Sequence, residues 1–192
     1  MKTKEINLYR FSEISESAKE KAIDKYYESE EYDSLSEDIL EFIKENDTFN
    51  VFSNIELYYS LSYSQCDGLS FSADFDLANF FAQKDYSFKK SVLDVIQNNI
   101  IDKVSVKSNN GHYCYCKSSD IEIQYLWINK TYKNIDLLCS VIKSHIRTYY
   151  LDICKKAEKF GYSILEYRMN FDDFSSFSDD NDYFYTINGI LD

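Results

Sequence analysis

A histidine and two cysteines occupy alternate positions of one short segment, where they could act as metal ligands. His112, Cys114 and Cys116 would share one face of a strand, because side chains alternate between its two faces. Zinc sites usually combine separated ligand pairs, so three ligands along one extended strand converge poorly on an ion. The spacing therefore favours small core residues over a metal site, and no cofactor is predicted. An uncharacterised enzyme or metal-binding protein that uses these three residues is the alternative.

The segment SQCDGLSF, at residues 64–71, contains another cysteine that could be reactive. Cys66 lies beside Asp67, and an acidic neighbour raises a thiol pKa where a nucleophile needs it lowered. Only His112 and His145 could act as imidazole bases, and the chain has no glycine-rich phosphate loop, nucleophile elbow or two-histidine metal motif. The sequence therefore predicts no catalytic residue and favours a protein that is not an enzyme.

The carboxylates are more informative about function than the candidate metal ligands and the candidate reactive cysteine. The net charge is −12, and residues 28–47 contain nine carboxylates and a single lysine, Lys44. Acidic groups among aromatic residues can imitate a phosphate backbone or bind a groove rich in Arg and Lys; the alternative is a solvated helix face and a frayed tail. The predicted partner-binding residues form two patches: Glu37, Asp38, Glu41 and Glu45 in the first, and Asp172, Asp173, Asp179 and Asp180 in the second.

The charge also limits the classes of partner. A general basic surface for nucleic acid is excluded, because phosphate binding needs clustered Lys and Arg. The predicted partner is a protein or ribonucleoprotein with a basic surface, which opposite charge would steer into contact. Tyrosine-rich strand edges would also allow a homodimer.

Three features predict a cytoplasmic protein without a membrane span. No apolar run approaches the ~20 residues that a spanning helix needs. The N-terminus lacks the apolar segment of a signal peptide. The five cysteines lack the spacing of a disulfide scaffold, so we expect reduced thiols.

Helices are expected to position both patches. One helix should begin at Ser15, with a buried stripe that includes Ala18 and Ala22 at helical spacing. A second should begin at the capping-box pattern of residues 34–37 and end near Asn46. Two more are predicted, over 87–101 and over 134–160, and Gly161 stands where a C-cap glycine of the longest helix would belong.

The hairpin around SQCDGLSF is predicted from two alternating runs, 55–63 and 71–77. A two-residue turn would place apolar residues opposite polar ones, whereas a three-residue turn of Cys66, Asp67 and Gly68 pairs apolar with apolar residues. In that register Tyr63 faces Phe71 and Leu57 faces Leu77, and a five-residue loop would keep the same pairing. Gly68 would supply the left-handed conformation that this turn requires.

Further strands are predicted over 5–11, 103–107, 112–117, 120–128 and 183–187, with Asn110-Gly111 as a two-residue hairpin turn. Runs of strands mixed with helices and without repeats or linkers indicate one α+β domain over residues 1–192. The expected core element is a mostly antiparallel sheet of five to six strands flanked by helices.

Several segments resemble a family of small acidic proteins encoded by bacteriophages and prophages. They are Leu8-Tyr9-Arg10-Phe11 with Ser15 and SAKEKAIDKYYE at 17–28, then SQCDGLSF, Gly111-His112-Tyr113 and YFYTINGIL at 183–191. Relatives have approximately Ser-Gln-Gly-Asp-Gly-Ala-Ser-Phe at the hairpin, so Cys66 replaces a glycine and Leu69 an alanine. The resemblance implies an origin more than an activity.

A phage origin would favour a protein that binds host machinery. The expected function is inhibition of a host defence or nucleic-acid-handling complex in the bacterial cytoplasm, in the manner of anti-CRISPR proteins. A nucleic-acid mimic would be one form of it. A phage accessory or regulatory protein is a further alternative.

Overall fold

A computed structural model describes most of the chain, and its residues fall into two compact units. The described ranges are 7–29, 32–62, 67–83, 89–98, 100–108, 114–125, 135–168 and 170–191. The first unit comprises Met1–Glu37 and Gly161–Asp192, and the second comprises Asp38–Phe160. The helices α2 and α5 each continue from one unit into the other. The single domain over residues 1–192 stays a prediction.

Six helices and four strands are present among the described residues. The helices are α1 (Glu16–Ser29), α2 (Tyr32–Asn46), α3 (Leu77–Gln83), α4 (Lys89–Gln97), α5 (Ile135–Arg168) and α6 (Phe171–Asp180). The strands are β1 (Phe52–Ser60), β2 (Gly68–Phe75), β3 (Ile101–Lys107) and β4 (Asp120–Tyr125). The α+β class is therefore confirmed, whereas the described residues contain fewer than the five to six strands that were predicted.

The second unit is built on one antiparallel sheet with the strand order β1-β2-β3-β4. One sheet face is apolar and carries Phe71, Ala73 and Val106, all of which are buried. The opposite face is polar, as the salt bridge of 2.6 Å between Lys103 and Asp74 shows. This alternation is the usual consequence of covering one face of an antiparallel sheet.

The helix α5 covers the apolar sheet face. Ile142, Ile146, Tyr150 and Ile153 form its buried stripe at spacings of three and four residues. The ring of Tyr150 lies 4.8 Å from that of Phe71, centroid to centroid. This stripe determines which side of α5 meets the sheet.

The predicted hairpin register was wrong, although the expectation that apolar residues pair with apolar residues was right. Leu57 pairs with Phe71 and Tyr59 with Leu69, so apolar residues still face apolar residues. The strands separate after the pair Ser60 and Gly68, which leaves residues 61–67 as a connection longer than the predicted turn of Cys66, Asp67 and Gly68. Cys66 itself lies outside the described residues, and Gly68 is the first residue of β2.

An unrecognised helix start explains much of this shift. The Asp76 carboxylate accepts a hydrogen bond of 2.8 Å from the backbone N–H of Asn79, which caps α3. The strand β2 therefore ends at Phe75, and Leu77 belongs to the helix instead of pairing with Leu57. A bulge between Ser53 and Glu56 further alters the register of β1.

The strand predicted over 112–117 is also wrong where the structure describes it. Cys116–Ser118 forms a short 3-10 turn, and Val106 pairs with Ile121 of β4 instead of with the predicted segment. His112 and the predicted turn at Asn110-Gly111 lie outside the described residues. Residues 112–117 form too short a segment for their alternating pattern to distinguish a strand from a 3-10 turn.

The helix α5 continues through Gly161 and ends at Arg168, so the predicted C-cap was wrong. A glycine inside a helix costs only about 1 kcal/mol relative to alanine. Ile164 and Leu165 continue the apolar pattern beyond it and are half-buried. Their burial offsets the local cost, which explains why the glycine does not terminate the helix.

The first unit joins residues from both parts of the chain around a small aromatic core. Phe11, Ala18, Ala22, Phe174 and Tyr185 are buried together there. Tyr9 and Tyr185 exchange two backbone hydrogen bonds of 2.9 Å, and Tyr185 also bridges to Leu191. Isolated bridges thus stand where strands were predicted over 5–11 and 183–187.

A tight turn at Gly189 closes this unit against α1. Gly189 has a φ of 77° and donates its backbone N–H to the carbonyl of Thr186. An added Cβ would lie 2.1 Å from the carbonyl oxygen of Ala18. Both the left-handed backbone and the close approach therefore require glycine at this position.

Candidate functional site

The predicted carboxylates of α2 lie on the side of that helix opposite its buried stripe. Leu35, Ile39 and Ile43 are buried, with at most 2% of each exposed. Glu37, Glu41 and Glu45 follow one another at four-residue spacing and are exposed, and we call them the α2 acidic row. Asp38 lies beside the row and is half-buried.

Lys44 is the only basic residue in the sequence of α2, and no salt bridge among the described residues joins it to the α2 acidic row. No salt bridge among the described residues involves Glu37, Glu41 or Glu45. Like charges four residues apart on a helix destabilise it by roughly 0.2–0.5 kcal/mol per pair. The row is therefore a surface that folding alone does not favour.

The second predicted patch belongs to a helix, not to a frayed tail. The side chain of Asn170 caps α6 by accepting a hydrogen bond of 3.0 Å from the backbone N–H of Asp172. Asp172 and Asp173 occupy the first turn, where negative charge interacts favourably with the helix dipole. These two carboxylates thus contribute to the helix as well as to its surface.

The structure divides the four predicted aspartates of α6 by their contacts. Asp179 faces Arg10 at 3.8 Å, and the neighbouring Asp182 approaches the same guanidinium at 3.2 Å. The other three form no salt bridge among the described residues: Asp172, Asp173 and Asp180, which we call the α6 acidic patch.

An aromatic ring lies within the α6 acidic patch. Phe177 is 36% exposed and stands at helical spacing between Asp173 and Asp180. Its other side packs against Tyr26, with ring centroids 5.3 Å apart. A ring flanked by carboxylates can receive a guanidinium by both stacking and charge pairing.

One carboxylate of the acidic segment 28–47 is buried and structural. Asp47 accepts hydrogen bonds from the backbone N–H groups of Val51, at 2.7 Å, and Phe52, at 2.8 Å. Its other oxygen accepts a hydrogen bond of 2.8 Å from the hydroxyl of Tyr149. Burial raises the pKa of Tyr149 to about 12. Asp47 therefore fixes the junction between α2 and β1 and is not available to a partner.

The hairpin residues Asp67 and Gly68 have structural contacts. The Asp67 carboxylate accepts hydrogen bonds of 3.0 Å from the hydroxyls of Ser60 and Ser62, which ties the connection to the end of β1. A Cβ added to Gly68 would lie 3.1 Å from the carbonyl oxygen of Cys114. The close approach of the Cys114 backbone explains the glycine at position 68 better than a left-handed turn does.

The part of the chain that the structure describes does not show the three candidate metal ligands as one cluster. His112 lies outside them, Cys114 is half-buried, and Cys116 is buried in the 3-10 turn. Among the residues that the structure describes, no group of three or more His, Cys, Asp or Glu side chains could hold a metal ion. His145, the other imidazole, packs its ring against Phe81.

Sequence reasoning missed a buried thiol pair. Cys116 of the 3-10 turn and Cys154 of α5 are both buried free thiols, and each affects the pKa of the other. Tyr150, whose hydroxyl donates to the carbonyl of Phe71 at 3.0 Å, also affects the pKa of Cys154. The two cysteines lie far apart in sequence, so no spacing rule could have paired them.

The two thiols differ in acidity. The hydrogen bond from Cys154 lowers the pKa of Cys116 to about 7, since it stabilises the thiolate. Burial raises the pKa of Cys154 well above its ordinary value. The two buried thiols are therefore shifted in opposite directions from the ordinary cysteine pKa.

Comparisons with known proteins add no assignment to these sites. No protein-family model, curated protein or solved structure matches the chain. Within the described ranges, no helix combines the length and apolar character that a membrane span needs. The function has to be argued from the surfaces themselves.

Proposed function

We propose that this chain is a binding protein that presents the α2 acidic row and the α6 acidic patch to basic surfaces of a partner. Both surfaces consist of exposed or half-exposed carboxylates on helices whose opposite sides are buried. Rigid helices hold the charges in fixed positions, which favours specific over diffuse attraction.

The observation that carries the proposal is the unpaired state of the α2 acidic row. Asp152 of α5, by contrast, pairs with Lys156 at 2.8 Å. Glu37, Glu41 and Glu45 instead repel one another along the helix. Binding to a row of Arg or Lys side chains would convert this repulsion into attraction.

The α6 acidic patch supports the same type of partner. Phe177 offers an exposed ring between Asp173 and Asp180, and aromatic residues often supply much of an interface's binding energy. An arginine of the partner would fit this arrangement better than a lysine, because its planar group stacks on rings and forms paired hydrogen bonds.

The partner class that we propose is a host defence or nucleic-acid-handling complex in the bacterial cytoplasm. Such complexes bind phosphate through clustered Arg and Lys, so a protein with a net charge of −12 can compete for the same groove. The resemblance to phage-encoded acidic proteins supports an inhibitor of this kind, comparable to anti-CRISPR proteins.

Affinity capture with matched variants tests the proposal. Each residue of the α2 acidic row, or of the α6 acidic patch, is changed to its amide, which removes charge at nearly constant size. A control changes Glu16, Glu20 and Asp24 of α1, which have the same spacing and are also exposed. Lys19, Lys21 and Lys25 balance those control charges.

We expect the wild type and the α1 control to capture the same partner in equal amounts. The α2 variant should bind this partner at least ~10-fold more weakly, because each lost charge pair at an interface costs affinity. Single-stranded or duplex oligonucleotides should compete for the captured complex. Equal capture by all variants, or equal loss in the α1 control, would exclude these surfaces as the interface.

A further inference from the structure

The backbone bridges around Tyr185 form a small ladder in the first unit, and its outer side is apolar. Tyr185 bridges to Tyr9 on one side and to Leu191 on the other. Its own side chain is 2% exposed and belongs to the aromatic core of this unit. Because side chains alternate along extended segments, the adjacent Leu8 and Phe184 lie on the outer side of the ladder. Their exposed fractions, 39% and 37%, agree with this placement.

The turn that contains Gly189 adds two aliphatic side chains to this surface. Thr186 donates its backbone N–H to the carbonyl of Ile190 at 2.8 Å, which extends the ladder by one residue pair. Ile190 is 46% exposed, and Ile187, at the tip of the turn, is 64% exposed. Contiguous exposed apolar groups mark binding sites more often than single exposed side chains do. We call these four residues the outer apolar face: Leu8, Phe184, Ile187 and Ile190.

Negative charge borders the outer apolar face. The guanidinium carbon of Arg10 lies 4.3 Å from the ring centroid of Phe184. Asp182 and Asp179 approach the same guanidinium at 3.2 Å and 3.8 Å. The two carboxylates outweigh the single cation, and the side chain of Asp182 is 83% exposed. A positively charged group that approaches the ring of Phe184 is therefore attracted to this border.

The charge of this border distinguishes three surfaces that could cover the outer apolar face. A second copy of the chain would bring the same carboxylates and a further net charge of −12, so like charges would meet. An anionic lipid surface would be repelled for the same reason. A protein segment with both aliphatic and basic side chains complements the apolar face and its acidic border together.

We propose that the outer apolar face binds a segment of the basic partner in which aliphatic side chains stand next to Arg or Lys. The aliphatic side chains pack on Leu8, Ile187 and Ile190. An Arg or Lys of the segment pairs with Asp182 beside the ring of Phe184. This inference rests on the basic partner of the proposed function and adds a third, apolar contact surface. The acidic helices attract the partner, and the apolar face supplies burial that charge alone does not give.

Three synthetic peptides of equal length test this inference on the full chain. The first combines leucine with lysine, the second replaces each leucine by serine, and the third replaces each lysine by glutamate. Fluorescence anisotropy of the labelled peptides measures their affinities. The leucine–lysine peptide should bind at least ~10-fold more tightly than the serine–lysine peptide, because burying one aliphatic side chain contributes about this factor. The leucine–glutamate peptide should bind more weakly than the leucine–lysine peptide, since the border repels it.

Variants of exposed side chains locate the binding site. Ile187→Ser combined with Ile190→Ser should weaken binding of the leucine–lysine peptide at least ~10-fold. Leu137→Ser changes a side chain of α5 that is 66% exposed, and this control should bind like wild type. In the wild-type protein, the amide NMR shifts caused by the peptide should concentrate at the outer apolar face. These shifts decide the outcome even if the double variant fails to fold.

Four results would overturn the inference. Equal binding of the serine–lysine peptide would mean that charge alone is recognised, and shifts concentrated on the α2 acidic row would place the peptide elsewhere. A dimer in sedimentation that the double variant separates would assign the face to a second copy. Phosphatidylcholine vesicles that bind wild type and not the double variant would assign it to lipid. The capture experiment uses other variants and another ligand, so this inference and the proposed function can fail separately.

Discussion

Asp47 and Glu41 are carboxylates of one short stretch of chain, and their surroundings differ completely. Asp47 is buried and accepts hydrogen bonds from two backbone N–H groups and a tyrosine hydroxyl. Glu41 is exposed on the α2 acidic row. Residue type and local charge density therefore do not distinguish a structural carboxylate from one presented to a partner; the neighbours in the fold do.

The burial of Tyr149, reinforced by its hydrogen bond to Asp47, predicts that stability depends on alkaline pH. The folded-state pKa of Tyr149, about 12, exceeds the ~10 of an unfolded tyrosine, so its contribution is complete below pH ~10. The contribution is lost as the pH rises from ~10 towards 12, because only the unfolded state releases the proton readily.

Tyr149→Phe should therefore make the loss of stability over this pH range shallower without abolishing it, since burial also raises the pKa of Tyr150. Urea midpoints measured at several pH values would show the change. Tyr167→Phe, at a residue that is 67% exposed, is the control. Identical slopes in wild type and Tyr149→Phe would contradict the assignment.

Gly189 gives the sharpest stability prediction among single residues. Gly189→Ala should destabilise the first unit by roughly 2–4 kcal/mol, because the new methyl group would overlap the Ala18 carbonyl and the backbone is left-handed. Asn188→Ala, at the exposed neighbouring position, should cost much less. Thermal unfolding followed by circular dichroism compares the two; equal losses would mean that the turn tolerates a side chain.

Helices were more predictable than strand registers, for a physical reason. The apolar stripe of α5 recurs over many turns, whereas β1 and β2 contain only a few alternating positions. Alternation placed Leu57 on the correct face but could not choose among registers shifted by an even number of residues. The helix cap formed by Asp76 ends β2 at Phe75 and removes Leu77 from the strand.

A candidate site could be predicted from the sequence only where its residues lie close together along the chain. A helical spacing was enough to place Glu37, Glu41 and Glu45 on one side of α2. The hydrogen bond from Arg147 of α5 to the Ser119 carbonyl depends on how α5 crosses the sheet, which no local pattern encodes. Exposed apolar residues near the end of the chain, among them Ile187 and Ile190, were likewise not foreseen.

The α2 acidic row allows a prediction with opposite signs for stability and binding. Glu41→Gln removes repulsion from both Glu37 and Glu45, at about 0.2–0.5 kcal/mol per pair, and should stabilise the chain by about 0.4–1 kcal/mol, while it weakens partner binding. Asp152→Asn breaks an attractive pair with Lys156 and should lower stability slightly. Urea unfolding measures both variants, and a destabilised Glu41→Gln would show that Glu41 has a favourable neighbour.

On the scale of the whole molecule, the net charge of −12 predicts that salt stabilises the fold. Self-repulsion at low ionic strength is screened as the Debye length falls from ~30 Å at 0.01 M to ~8 Å at 0.15 M. Tm should rise over this range, and less so when the α2 acidic row is changed to glutamines. A Tm that falls with salt would mean that ion pairs such as Lys103–Asp74 dominate.

The backbone pairing of Tyr9 with Tyr185 has a consequence for synthesis on the ribosome. The second unit is contiguous in sequence, so its strands and helices can assemble while the chain is still emerging. The helix α1 leaves the exit tunnel before the second unit does, yet Phe174 and Tyr185, which bury its apolar side, are translated after that unit. Ala18, Ala22 and Ile23 therefore stay uncovered while the whole second unit is synthesised, which makes α1 a segment that a nascent-chain chaperone would bind.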